Sequence, residues 1–351
     1  MISSSESISS IEFCSRYDTL ATVTSDRPRP LPLSIAFALW AAVGLAAALY
    51  GSYHGYGGPR YATMVAVTLW LFGTEVILAS GGLMERISKN LSPAVAAILG
   101  AVPLLTYIVY AVGTGYFVWS QVGLVAGMAL VPTALTASAG SKPFGAWQDY
   151  AAMAALFIPF WLGWVQYLWP YPTPKVTYAM SVLLIIQIGE IAFLLVRRAP
   201  DVGFSLAWSN RWILTVLICF AGIALIDIPV ALKIHFFRFD PSNGHHKEVL
   251  LELLGTFFFT AWAEEFFFRG LLQNALSRTL RSDAAGWLVA SIVFGFAHIN
   301  HEYFPNWRYV LLATIAGFFY GFAWRKTKSM TGSGLIHAAV DVTMHQLFRI
   351  I

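Results

Sequence analysis

Charge is scarce in this 351-residue chain: 11% of its residues are Asp, Glu, Lys or Arg, against about 25% in an ordinary soluble domain. With 58% of the residues hydrophobic, the chain lacks the polar surface that a water-soluble fold needs, and soluble and disordered classes are excluded. Cysteine is nearly absent as well. Cys14 in a polar stretch and Cys219 in an apolar run form no CxxC or zinc-finger spacing, which argues against a disulfide framework and against a thiol site. No basic run with interleaved aromatics accompanies the net charge of +4, so a nucleic-acid partner is not expected. No tandem repeat of fixed period is present. Residues 1–30 are rich in Ser and Thr, carry Pro28 and Pro30, and lack a short apolar core with a cleavage pattern; they read as a flexible polar tail.

What is abundant is apolar sequence in long runs. These cover roughly 33–50, 62–80, 93–112, 117–137, 150–169, 177–196, 211–232, 249–274, 285–299, 308–324 and 332–349, separated by breaks rich in Pro, Gly or charge such as GGLMERISKN and FRFDPSNGHHKE. Several approach the ~20 residues that cross ~30 Å of hydrocarbon. The expected fold is an all-α, polytopic transmembrane helical bundle of about eight to eleven spans, with the lipid bilayer as its first partner. Lys and Arg favour the breaks on the same side as the N-terminus, which places that end in the cytoplasm. One difficulty accompanies a full count of eleven: His298 falls near the end of its span and His337 near the start of one running the same way. Either the last spans begin at unequal depth or one segment does not cross.

By content the chain divides into the tail, an N-terminal transmembrane region over 31–204 of unknown role, and a chemistry-bearing region over 205–351. In the first region the intramembrane ionisable residues are chiefly Glu75 and Glu190. The second holds the segment AEEFFFRG, Ala263 to Gly270, which sets two carboxylates and a guanidinium among aromatics. Ionised groups at membrane depth cost from about 3 to more than 10 kcal/mol each, so they persist where they are paired and used. Glu265 and Arg269, four apart, share one helix face and read as a structural pair. Glu264 is turned roughly 100° away and has no such local partner, which marks it for chemistry.

Two more constellations follow on later helices. Phe294-Gly295-Phe296-Ala297-His298 sets an aromatic four residues before an imidazole, and His337-Ala338-Ala339-Val340-Asp341 sets an imidazole and a carboxylate on one face. His337 and Asp341 at this spacing can offer two ligands to one ion, as the histidines of HExxH do, and His298 would be a third. Three ligands leave a fourth position for water on zinc. Without metal, Glu264 and His298 serve as base and polarising partner of a water, with His337 and Asp341 on the oxyanion side. The residues leave both routes open. Asn300 and His301 read as a helix end near the interface, Phe294, Gly295, Gly270 and Gly317 as packing, and His245, His246 and Lys247 as a solvated loop. Asp227 stays unassigned, together with Glu75 and Glu190.

EExxxR at Glu264 to Arg269, FxxxH at Phe294 to His298 and HxxxD at His337 to Asp341, in that order on successive late helices, resemble the CAAX protease and bacteriocin-processing family of intramembrane endopeptidases, which includes the type II CAAX prenyl endopeptidases. The resemblance covers roughly 205–350. It implies an all-helical membrane core, a glutamate-activated water and hydrolysis of a peptide bond in a membrane-anchored or membrane-proximal protein or peptide. Glu264 would be the base, His298 and His337 would bind the metal or water, and Asp341 would complete the set. Eukaryotic prenyl-protein members have Asn at the last position; the extra charge of Asp341 favours a bound cation. A multi-pass protein of a bacterial plasma membrane is the expected setting. Two other classes use the same residue types: a proton- or ion-coupled transporter, and a non-catalytic immunity or scaffold protein with no need of Glu264. Paired interrupted spans in two halves, the mark of many transporters, are not seen.

Overall fold

The computed structural model describes residues 28–244 and 248–351. Cys14, the tail through residue 27, and His245, His246 and Lys247 lie outside the described residues. The chain is built from helices α1 (Leu33–His54), α2 (Gly58–Leu78), α3 (Leu83–Asn90), α4 (Pro93–Leu99), α5 (Val102–Thr114), α6 (Trp119–Ala139) and α7 (Trp147–Trp161), then α8 (Thr177–Gly189), which continues in π-helical winding as Glu190–Val196. The later half comprises α9 (Asn210–Lys233), the long helix α10 over 249–279, α11 (Asp283–Phe296), α12 (Trp307–Thr327) and α13 (Met330–Leu347). Two short antiparallel ribbons pin loops together. Strand β1 (Arg29–Pro30) pairs with β2 (Ala207–Trp208), and β3 (Phe237–Phe239) pairs with β4 (Phe348–Ile350).

All eleven apolar runs are helical over most of their length, as an all-α membrane bundle requires of backbone that has no water to bond. Among the described residues six helices are long and apolar enough to cross a bilayer: Leu33–His54, Gly58–Leu78, Pro93–Thr114, Trp119–Ala139, Pro174–Val196 and Asn210–Lys233. Of the helices after them α11 is apolar but short, while α10 and α12 are long and carry charge. Helix α10 carries Glu252, Glu264, Glu265, Arg269 and Arg278, and α12 carries Arg308, Arg325 and Lys326. The loss of apolar character therefore coincides with the part of the bundle that encloses polar side chains.

One apolar core runs from Ala36 on α1 through α2, α5, α6, α7 and α8 to Phe257, Trp262, Phe266 and Leu271 on α10, and on to Ala338 on α13. It passes without interruption across residue 204. Specific polar ties reinforce it: Trp161 Nε1 donates to the Ala297 carbonyl at 2.8 Å, and Asn300 Nδ2 donates to the Trp161 carbonyl at 3.0 Å. Small residues bring the late helices close. A Cβ on Gly295 would overlap the Thr314 hydroxyl and lie 2.6 Å from the Val310 carbonyl, and one on Gly317 would lie 3.1 Å from the Phe294 ring. This is the close approach that small residues permit between membrane helices.

His298 and His337 come from helices that differ in length and starting point. Helix α11 has 14 residues and so rises only about 21 Å, short of the ~30 Å hydrocarbon core. Helix α13 begins inside the protein, where Met330 is fully buried and its amide donates to the Gly203 carbonyl at 3.2 Å. Thr331 anchors the same start, donating to the Ser205 carbonyl at 2.8 Å. The loop from α8 to α9 thus covers the entry to α13, and His298 and His337 reach one cavity.

Candidate active site

Helix α10 is the framework of the site. Its four α-helical residues Trp262–Glu265 lie between two π-helical stretches, Phe257–Ala261 and Phe266–Gln273. Such wide turns recur at functional positions of membrane and soluble helices alike. Phe257, Phe258, Phe266 and Phe268 bury their rings around them and fix the helix in place. From this segment Glu265 and Glu264 point to different surroundings.

Glu265 is fully buried and committed. Its Oε1 lies 3.0 Å from His337 Nδ1, in a hydrogen bond, and 3.2 Å from Arg269 Nη1. The second contact is an ion pair by distance, without the alignment of a hydrogen bond, since Arg269 Nη1 has no hydrogen-bond partner. Arg269 Nη2 reaches the Gly317 carbonyl at 3.4 Å, and the guanidinium sits 4.2 Å from the Phe294 ring centroid and 5.3 Å from that of Tyr320. Cation–π contact and the ion pair together compensate a buried charge.

Glu264 is half-buried and faces the cavity. Its Oε2 lies 3.8 Å from His337 Nε2 and has no hydrogen-bond partner. His337 is therefore held at one nitrogen by Glu265 and presents the other to two carboxylates, Glu264 and Asp341 Oδ2, the latter at 3.6 Å. Tyr320 stacks on the His337 ring with centroids 4.5 Å apart and planes at 15°. His298, in the turn just past α11, bonds through Nδ1 to the Phe294 carbonyl at 2.8 Å. A carbonyl only accepts, so Nδ1 is the donor and the neutral ring keeps Nε2 as an acceptor. His301 lies beside it, ring centroids 5.3 Å apart, and Asn306 holds this turn by donating to the His301 carbonyl at 3.0 Å.

Glu264, His298, His337 and Asp341 all line one cavity of about 1070 Å³. Helix periodicity explains who else is there. Thr256, Thr260 and Glu264 come from one face of α10, Tyr309, Ala313, Ala316 and Tyr320 from one face of α12, and His337, Val340, Asp341 and Met344 from one face of α13. Phe160 of α7 and Tyr178 of α8 complete the wall. The tyrosines, Thr260 and Phe160 escape a reading based on intramembrane charge. The Tyr-Ala-Ala-Tyr stripe of α12, with small residues between two aromatics at i, i+4, i+7 and i+11, is the pattern that reveals part of this wall.

Among the described residues no group of three or more His, Cys, Asp or Glu side chains forms a ready-made metal cluster. His337 meets Asp341 as expected, and its Nδ1 is bonded to Glu265 while its Nε2 opens toward Glu264 as well. Metal-ligating imidazoles make the same kind of outer bond at their second nitrogen, so His298, His337 and Asp341 keep the chemistry of zinc donors on one cavity wall.

The fold and the cavity define a class first: a polytopic membrane protein with an acid, two imidazoles and space for water enclosed by its late helices. Within it, residues 246–343 match the model of one family, described as type II CAAX prenyl endopeptidase Rce1-like. The matched stretch contains all three motifs from Glu264 to Asp341. It is shorter than the 205–350 resemblance and leaves α9 outside. No curated protein and no solved structure matches the chain.

Proposed function

We propose that this protein is an intramembrane endopeptidase in which Glu264 activates water against a peptide bond of a membrane-anchored or membrane-proximal substrate. The observation that carries the reading is the division of labour between adjacent carboxylates: Glu265, away from the cavity lining, gives one oxygen to both Arg269 and His337, whereas Glu264 lines the cavity and has no such ion-pair or hydrogen-bond tie. Hydrolysis needs a base within hydrogen-bond reach of a water, in a place where water can enter. The cavity supplies both.

In this reaction the Glu264 carboxylate accepts a proton from water as the oxygen attacks the carbonyl carbon. His298 accepts a hydrogen bond from the same water through Nε2 and orients it. The negative charge that develops on the carbonyl oxygen is met by Nε2–H of His337 in its doubly protonated form, whose Nδ1–H donates to Glu265 and whose ring stacks on Tyr320. As the tetrahedral intermediate collapses, the C–N bond breaks and the carboxylic acid of Glu264 returns the proton to the leaving amine. No Ser or Cys nucleophile takes part, and the sequence offers none in the cavity beyond threonines. Asp341, beside His337, adjusts its charge and the hydration of the pocket. The distribution of Lys and Arg supports an N-terminal end on the cytoplasmic side.

The test is cleavage of quenched membrane peptides by the purified protein in lipid nanodiscs, with product masses locating the cut, alongside ion flux in liposomes. Cleavage by the parent and its loss in Glu264→Gln supports the reading. Equal cleavage by parent and variant, or ion flux without cleavage, overturns it.

A further inference from the structure

Helix α9 carries a carboxylate that the reaction does not use. Cys219, Ile223, Asp227 and Ala231 recur every four residues as the buried stripe of that helix, while Leu214, Leu217, Ile218 and Leu225 on other faces are exposed. Three of the four stripe residues are what a lipid-embedded helix needs for packing. Asp227 is not. It is 5% exposed, its Oδ1 has no hydrogen-bond partner, and it lines the same cavity as Glu264 and His337.

An unpartnered carboxylate at this depth is costly unless something enters to satisfy it. The surroundings specify the charge of that occupant. Glu248, Glu252 and Glu302 also line the cavity, and among the described residues its Lys and Arg lining is Arg349 alone. A cavity walled by carboxylates concentrates cations and disfavours anions. Aromatic and small residues line the same cavity, among them Phe236, Phe237, Ala313, Ala316 and Tyr320, and Tyr320 is near enough to feel the charge of Asp227. Aromatic faces with one acid are suited to an ammonium or guanidinium group, which gains from both. Among the described residues no cluster of three acids, thiols or imidazoles surrounds a common point.

We infer that Asp227 is a recognition residue for a positively charged group of the substrate peptide, a Lys or Arg side chain or a free α-amine, bound on the α9 side of the cavity. The peptide nature of this occupant rests on the endopeptidase reading; the preference for a cation does not. Asp227 lies outside the family match at 246–343, so this selectivity belongs to the chain's own α9.

The experiment uses the full chain in nanodiscs and quenched peptides that differ at one residue, Lys or Arg against Gln or norleucine, scanned on both sides of the cleaved bond. N-acetylated and free-amine forms of the neutral peptide separate side chain from terminus. Rates and equilibrium binding of labelled peptides are both measured. The parent is expected to favour a cation at one position by about tenfold or more. Asp227→Asn collapses that ratio to about one, and Asp227→Glu retains it. Because each ratio is taken within one variant, partial loss of folded protein does not affect it. No cationic preference in the parent, or the same preference in parent and Asp227→Asn, overturns the inference. Should no peptide be cleaved while the binding preference still depends on Asp227, the endopeptidase reading falls and the cation site stands.

Discussion

Glu265 Oε1 lies 3.0 Å from His337 Nδ1 and 3.2 Å from Arg269 Nη1, so one buried carboxylate oxygen ties α13 to α10 and neutralises an arginine on its own helix. Its neighbour Glu264 makes no comparable commitment. The two acids should therefore separate cleanly under mutation. Glu265→Ala leaves Arg269 buried and unpaired and is expected to cost about 3–5 kcal/mol of stability. Glu264→Gln removes a general base and is expected to lower kcat/KM by about 10²–10⁴-fold while the melting temperature stays near that of the parent. Thermal unfolding in detergent, run beside the peptide assay, checks both. Equal destabilisation by the two variants would contradict the assignment.

The histidines allow a parallel test of the metal question. The reaction proposed above runs on carboxylate and imidazole groups alone, with His337 bonded at Nδ1 to Glu265 and His298 at Nδ1 to the Phe294 carbonyl. Purified parent protein is expected to keep its activity through chelator treatment and dialysis, and elemental analysis is expected to give zinc well below one equivalent. One equivalent of zinc in the parent, lost in both His298→Ala and His337→Ala, would require a rearranged site and a metal-bound water.

How much of this was legible in the sequence follows from the range over which each signal acts. The i, i+4 pairs Glu265–Arg269 and His337–Asp341 are local, and helical periodicity alone places them on shared faces. The hydrophobic runs likewise announce the helices. Partners from different helices are not local, so neither the Glu265–His337 bond across 72 residues nor the Tyr320–His337 stack has a sequence signature. Glu264 lacked a partner on its own helix, which is local, yet the approach of His337 to it depends on α13 starting below the loop at Gly203. The contribution of α7 and α8 to the cavity through Phe160 and Tyr178 was hidden for the same reason: apolar and aromatic residues there look alike whether they face lipid or substrate.

Gly295 offers a steric test of how the site is held. A methyl group there would overlap the Thr314 hydroxyl and crowd the Val310 carbonyl on α12, three residues before His298. Because the Val310 carbonyl is backbone and cannot swing aside, α11 must move away from α12. Gly295→Ala is expected to cost about 1–3 kcal/mol and to lower kcat/KM beyond the loss of folded protein, since His298 moves with the end of α11. The double variant Gly295→Ala with Thr314→Ala removes the worse overlap and should recover part of both. If Gly295→Ala leaves stability and activity as in the parent, α11 and α12 are not in the contact described.

Arg197 and Asp149 test the opposite case, a buried pair remote in sequence from the catalytic motifs. Arg197 Nε donates to Asp149 Oδ1 at 2.6 Å and Nη2 to Oδ2 at 3.2 Å, while further donors reach the carbonyls of Gly140, Lys142 and Pro143. Asp149 in turn accepts from the amides of Gly145 and Ala146 at the start of α7. The pair thus closes the α6–α7 loop onto the end of α8, with neither side chain exposed by more than 6%. Removing the arginine strands a buried carboxylate, and Arg197→Ala is expected to cost about 3–5 kcal/mol. Arg197→Lys keeps the charge but not the fork of donors, so it should recover only part of that loss. Neither residue lines the cavity, so the kcat/KM of whatever protein remains folded should match the parent. A variant that keeps its stability but loses activity would mean that this loop acts on the site directly, through α8 and Tyr178.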